Sequence, residues 1–176
     1  MPQPPVDPIL AEGEEHLEAH AWPEAAAAFR RAVEVAPNSP VAHNKLGVAL
    51  VHQRQLDEAE RAFARAVTVD PRHAPAWSNL GNIYRETGRR DEALQAYERA
   101  IAADPDYWIA HQNLGGLYKE MGRTSEAIAA FKRATRLSIK APIRGPGGQM
   151  RPRIGCLGRT AAILVVVVGA AAVLFF

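Results

Sequence analysis

The sequence predicts an all-α chain: an α-solenoid of four helix-turn-helix repeats, then a flexible linker and one transmembrane helix. Three observations predict it. The chain matches itself at a shift of 34 residues over 6–141. Within each period, apolar residues recur at helical spacing in two blocks. Beyond the repeats, a basic Pro/Gly-rich stretch leads into sixteen residues, 161–176, without one polar side chain.

The repeats occupy 6–39, 40–73, 74–107 and 108–141 in one unbroken phase. The third, APAWSNLGNIYRETGRRDEALQAYERAIAADPDY, is the clearest. Gly13, Gly47, Gly81 and Gly115 share one position, and so do Ala25, Ala59, Ala93 and Ala127. Phe29, Phe63, Tyr97 and Phe131 share a third, and Ala32, Ala66, Ala100 and Ala134 a fourth. The small residues let two helices approach closely, and the aromatic fills space between neighbouring units. Gly88 and Gly122 fall where the first helix must stop and turn. The Asp-Pro pairs at 70–71 and 104–105 end the second helix and open the next unit.

Both terminal units depart from the pattern. The first has Ile9 where the third has Trp77, and Leu17 and Glu18 flank a weak turn signal. The fourth has Ser138 and Ile139 in place of Asp-Pro, leaving an edge for a partner, a second copy or solvent to meet.

Residues 142–159 form the linker, and the charge distribution singles it out. Residues 1–137 hold 16 Lys and Arg against 19 Asp and Glu, yet no carboxylate side chain follows Glu126. Lys140, Arg144, Arg151, Arg153 and Arg159 make a basic neck, which points to a membrane or another anionic surface. The transmembrane helix is assigned to 160–176. Ten of the sixteen residues in AAILVVVVGAAAVLFF are Ile, Leu, Val or Phe, giving roughly −3 to −6 kcal/mol for insertion. Lipid would force this Val-rich run to satisfy its own backbone as a helix. The span is slightly short, and Arg159 can snorkel. The N-terminus, MPQPPVDPIL, has neither the basic residue nor the apolar run of a secretory signal. With the positive-inside rule, this predicts a single-pass tail anchor with the repeats in the cytoplasm.

The period and its residues resemble the tetratricopeptide repeat family. The resemblance covers 6–141 and implies helix pairs whose first helices line a concave groove that binds peptides or partner proteins. By position in that architecture, the candidate partner-binding residues are Asn44, Lys45, Val48, His52, Ser78, Asn79, Asn82, Arg85, Gln112, Asn113 and Lys119. Asn79 and Asn113, at equivalent positions, are similar to the asparagine ladder of long members of the family. A carboxamide both donates and accepts, so it could grip an extended backbone without reading its side chains. The carboxylate clamp of the chaperone-binding branch is not matched. Asn44, Val48, Asn79, Ile109 and Asn113 stand in its places, and only Asn79 fits.

No catalytic constellation stands out. His16 and His20 have the i, i+4 spacing of a metal pair but no further ligands, and His43 and His111 occupy the Trp77 position as packing residues. No phosphate loop, nucleophile elbow or carboxylate cluster occurs, so no enzyme, cofactor, metal site or nucleic-acid partner is expected. One cysteine, Cys156, excludes a disulfide framework. The sequence therefore predicts a membrane-tethered scaffold that binds a protein or extended peptide. The alternatives are a self-assembling repeat protein, or a non-catalytic subunit of a membrane-bound enzyme or secretion complex.

Overall fold

A computed structural model describes residues 6–140, 143–144 and 150–151. Among these residues eight helices run in chain order: α1 (Val6–Glu18), α2 (Trp22–Val35), α3 (Pro40–His52), α4 (Leu56–Val69), α5 (Ala74–Glu86), α6 (Arg90–Ala103), α7 (Trp108–Glu120) and α8 (Thr124–Lys140). Helix α1 pairs with α2, α3 with α4 and α5 with α6; α3, α5 and α7 each pack on the helix before, and Gly115 of α7 lies against the Phe131 ring of α8. The chain divides into a compact unit ending at Thr135 and a second from Arg136 onward. Within the second, β1 (Ile143–Arg144) pairs antiparallel with β2 (Met150–Arg151), Ile143 opposite Arg151.

The local signals act where they stand. Pro23, Pro40 and Pro75 sit in first turns, where a missing N–H leaves no hydrogen bond unmade. The Ser39 hydroxyl caps α3 by accepting from the Ala42 N–H at 3.2 Å. Every first helix ends the same way. His20, Arg54, Gly88 and Gly122 take φ of 58°, 62°, 80° and 75°. The next residue then donates back into the helix: Ala21 to His16, Gln55 to Leu50, Arg89 to Tyr84 and Arg123 to Tyr118, at 2.8–3.0 Å. This six-to-one closure is a Schellman turn. The weak turn of the first unit is thus built like the others, with a histidine in the left-handed position.

The second helices end by a different device. Asp70 and Asp104 each accept from the backbone N–H two residues on, at 2.9 and 3.0 Å, which folds the chain out of the helix ahead of the next unit. With Ser138 and Ile139 in those places, α8 runs 17 residues where α2, α4 and α6 have 14.

Each hairpin closes on its shared small residues. A Cβ on Gly13, Gly47 or Gly81 would lie 2.4–2.6 Å from the ring of Phe29, Phe63 or Tyr97. These rings are 0–1% exposed. Each ring therefore lies across its own unit's glycine, and the far side joins the next unit. Phe63 shares a cluster with Ala76, Leu80 and Ile83 of the third unit, and Tyr97 one with Leu114 and Leu117 of the fourth.

The predicted transmembrane helix lies outside the described residues. So does the predicted linker, apart from the four strand residues. Among the described residues no helix is long and apolar enough to cross a membrane.

Candidate peptide-binding groove

The first helices adjoin one another directly, α3 touching α5 and α5 touching α7. This follows from short turns and from the small residues that bring each hairpin together. The surface they share holds two neighbouring pockets. One, of about 200 Å³, lies between α3 and α5 over an apolar floor of Val48, Val51, Phe63 and Ile83. His52, Asn79, Asn82 and Glu86 complete it. The other, of about 380 Å³, is polar and is lined by Asn82, Arg85, Glu86 and Glu120.

Several candidate residues converge here, each held by its own contact. Asn82 borders both pockets, and its carbonyl oxygen accepts from the Tyr97 hydroxyl at 2.7 Å. That bond fixes the carboxamide, and burial pushes the Tyr97 phenol up to about 12, so it stays a donor. Arg85 forks onto Glu120, with Nε 3.0 and 3.1 Å from the two carboxylate oxygens. This hydrogen bond raises the arginine's pKa and lowers the glutamate's, which keeps both charged. His52 stacks on Trp22 with ring centres 4.0 Å apart and planes 8° from parallel.

Other candidates serve the surface from beneath or beside it. Ser78 is 1% exposed and Asn44 is also buried, so neither presents itself to a partner. Asn79 donates to the Asn44 side-chain Oδ1 at 2.9 Å, and Asn113 to the Ser78 hydroxyl at 3.1 Å. Each rung of the asparagine pair therefore ties one repeat to the one before it and commits one amide hydrogen. Lys45 pairs with Glu14 at 2.9 Å, away from the pockets. Gln112 and Lys119 are exposed on α7, and Lys119 has no ion pair among the described residues.

Sequence reasoning missed two parts of this site. Phe63 was legible as packing between units, not as a pocket floor, and Ile83 was not singled out, because a floor depends on how far adjacent helices splay. Trp22 carried only one signal, an aromatic just past the first turn. Among the described residues no group of three or more His, Cys, Asp or Glu is placed to hold a metal ion.

A family model described as tetratricopeptide repeat matches residues 10–76, 45–107 and 78–142. No curated protein matches the chain. Among solved structures, MamA superposes with a TM-score of 0.66 at 28% identity, over 76% of this chain and 78% of that one. PilF of Pseudomonas aeruginosa gives 0.70 at 26%, over 78% and 63%. The Sgt2 repeat domain of Aspergillus fumigatus gives 0.65 over 70% and 83%, and at 23% identity it shows the fold alone.

Proposed function

Because the chain belongs to the tetratricopeptide repeat family, we propose that it is a non-catalytic scaffold whose first helices bind an extended segment of a partner protein. Repeats of this family typically bind protein or peptide partners, and they are generally without catalytic machinery. The observation that carries the reading is the apolar-floored pocket between α3 and α5, rimmed by Asn79 and Asn82. Val48 and Val51 suit one apolar side chain of the bound segment. The rim carboxamides suit its backbone, offering donors and acceptors without charge. The asparagine pair contributes as a spacer: Asn79 and Asn113 set the separation of α3, α5 and α7. The Arg85–Glu120 pair frames the next pocket.

The same proposal places the scaffold on a membrane. The support is the apolar run 160–176 and the basic neck before it, which favours keeping the repeats on the cytoplasmic side.

Two experiments test these halves separately. Peptide arrays probed with the full chain are expected to yield binders with one shared apolar position. A Val48→Asp variant with unchanged helicity should weaken them about tenfold. Retention of every binder by that variant would sink the groove. For the tether, membranes carrying the full chain are washed with alkaline carbonate. Release into the supernatant would remove the membrane half and leave the groove untouched.

A further inference from the structure

We propose that the open end of the repeat stack, on α8, docks an amphipathic helix of a partner protein, apolar along one face and acidic one turn beyond it. This surface is distinct from the groove. In the first three units the ring opposite the shared glycine is 0–1% exposed, because the next unit covers it. The equivalent Phe131 is 36% exposed, and Ile128, one turn earlier, is 49% exposed. The α8 face thus has the composition of an inner interface with nothing covering it among the described residues.

The inner interfaces show what covers such a face. Over Phe63, α5 lays Ala76, Leu80 and Ile83, at i, i+4 and i+7. Three residues further on stands Glu86 in α5, and Glu120 in α7. Glu120 is taken by Arg85 of the preceding unit. The fourth unit's counterpart of Arg85 is Lys119, exposed and without an ion pair among the described residues. A helix seated on α8 in the same register therefore brings three apolar side chains to Phe131 and Ile128 and a carboxylate to Lys119.

Charge chooses among occupants. A second copy would have to present α1, where those three places hold Pro8, Glu12 and Glu15, all exposed. Seating it would strip water from two carboxylates over an aromatic ring, which one new surface pair does not offset. The chain's own 160–176 segment is apolar but has no Asp or Glu side chain to meet Lys119. An acidic amphipathic helix from another protein satisfies both conditions.

The probe is a fluorescein-labelled, helix-stapled peptide of residues 74–86, titrated by anisotropy into the full chain in lipid nanodiscs. Saturable binding is expected, weakened about tenfold or more by Ile128→Asp and by Lys119→Glu. A peptide carrying Glu86→Lys should restore binding to Lys119→Glu and bind wild type poorly. Ile128 is exposed, so its substitution leaves the Phe131–Gly115 contact alone. Should that variant melt early, the charge swap decides by itself. The proposal is overturned by absence of saturable binding, by failure of the charge swap, or by binding that Ile128→Asp leaves unchanged in a folded chain. It is also overturned if deleting 160–176 exposes a site the full chain lacks, or if the wild type is a dimer that Ile128→Asp separates.

Discussion

One backbone position, repeated four times, holds the turn within each helix pair, and residue type decides its strain. His20, Arg54, Gly88 and Gly122 all take left-handed φ, which an L side chain adopts at a cost of roughly 1 kcal/mol. Arg54→Gly should therefore stabilise the chain by roughly 0.5–1 kcal/mol, since its pair with Glu86 is exposed and worth little. Gly88→Ala should destabilise by about 1 kcal/mol, both changes read from urea unfolding. Two helical glycines respond in opposite directions. A Cβ on Gly81 falls 2.6 Å from the buried Tyr97 ring, so Gly81→Ala should cost about 1–3 kcal/mol. On Gly116 the nearest atom is the Arg85 Nη1 at 3.4 Å, the far end of a flexible side chain. Gly116→Ala should gain roughly 0.5–1 kcal/mol from helix propensity, and a loss there would show that Arg85 cannot yield. His73 adds a pH dependence. Its Nε2 is buried without a hydrogen-bond partner among the described residues, and burial lowers its pKa despite nearby Asp70. The folded chain thus resists a proton that the unfolded chain takes up near pH 6.5. This contribution is whole above that pH and is lost as the pH falls below it. His73→Gln should flatten the midpoint of unfolding between about pH 7 and 5.

Between helices, the units are joined by a contact that the repeat pattern alone does not reveal. His43, Trp77 and His111 stand in the same place, and each ring nitrogen reaches the carbonyl of a proline six residues back. The acceptors are Pro37, Pro71 and Pro105, at 2.8, 2.9 and 3.1 Å. A carbonyl only accepts, so the two histidines carry their proton on Nε2. Trp77→Phe keeps an aromatic ring but strands the Pro71 carbonyl, and should cost about 0.5–1.5 kcal/mol in chemical denaturation. Equal stability would mean that water replaces the indole at no loss. At this scale the legible and illegible parts separate cleanly. Helix pairs, turn positions and shared small residues follow from spacing, because a helix repeats its faces every few residues. The aromatic and histidine side chains at one position were legible as packing. Their bond to the preceding proline was not, because it depends on the direction the chain takes between units. Val48, His52, Asn79 and Asn82 were placed by position and do line one pocket, whereas Ser78 and Asn44 share that helix face and are buried beneath their neighbours. A helical wheel gives the side on which a residue lies, not how near the adjacent helix stands.

For the stack as a whole, stability is close to a sum of units and nearest-neighbour interfaces, and among the described residues each end unit lacks one interface. The two ends differ in what that lack exposes. At the first unit the missing neighbour would lie on Glu12 and Glu15, side chains at home in water. Phe29 there is 0% exposed, because the second unit covers it. At the fourth unit the missing neighbour would cover Phe131 and Ile128, and among the described residues no following repeat buries them. The last pair thus loses apolar burial that every other pair retains, while the first pair loses little. Local opening should accordingly begin at the fourth unit. In hydrogen exchange of the full chain, the amides of Ala127–Thr135 should exchange faster than those of Ala25–Val33 in α2, both stretches being helical throughout. Equal protection would mean that the open face is covered in solution. Gly115→Ala, which pushes on Phe131 from beneath, should then widen the difference if the face is open, since it loosens a ring already bare on its far side. In the inner units the corresponding substitution meets a ring held from both sides, and there the same strain must spread across the interface to the next unit.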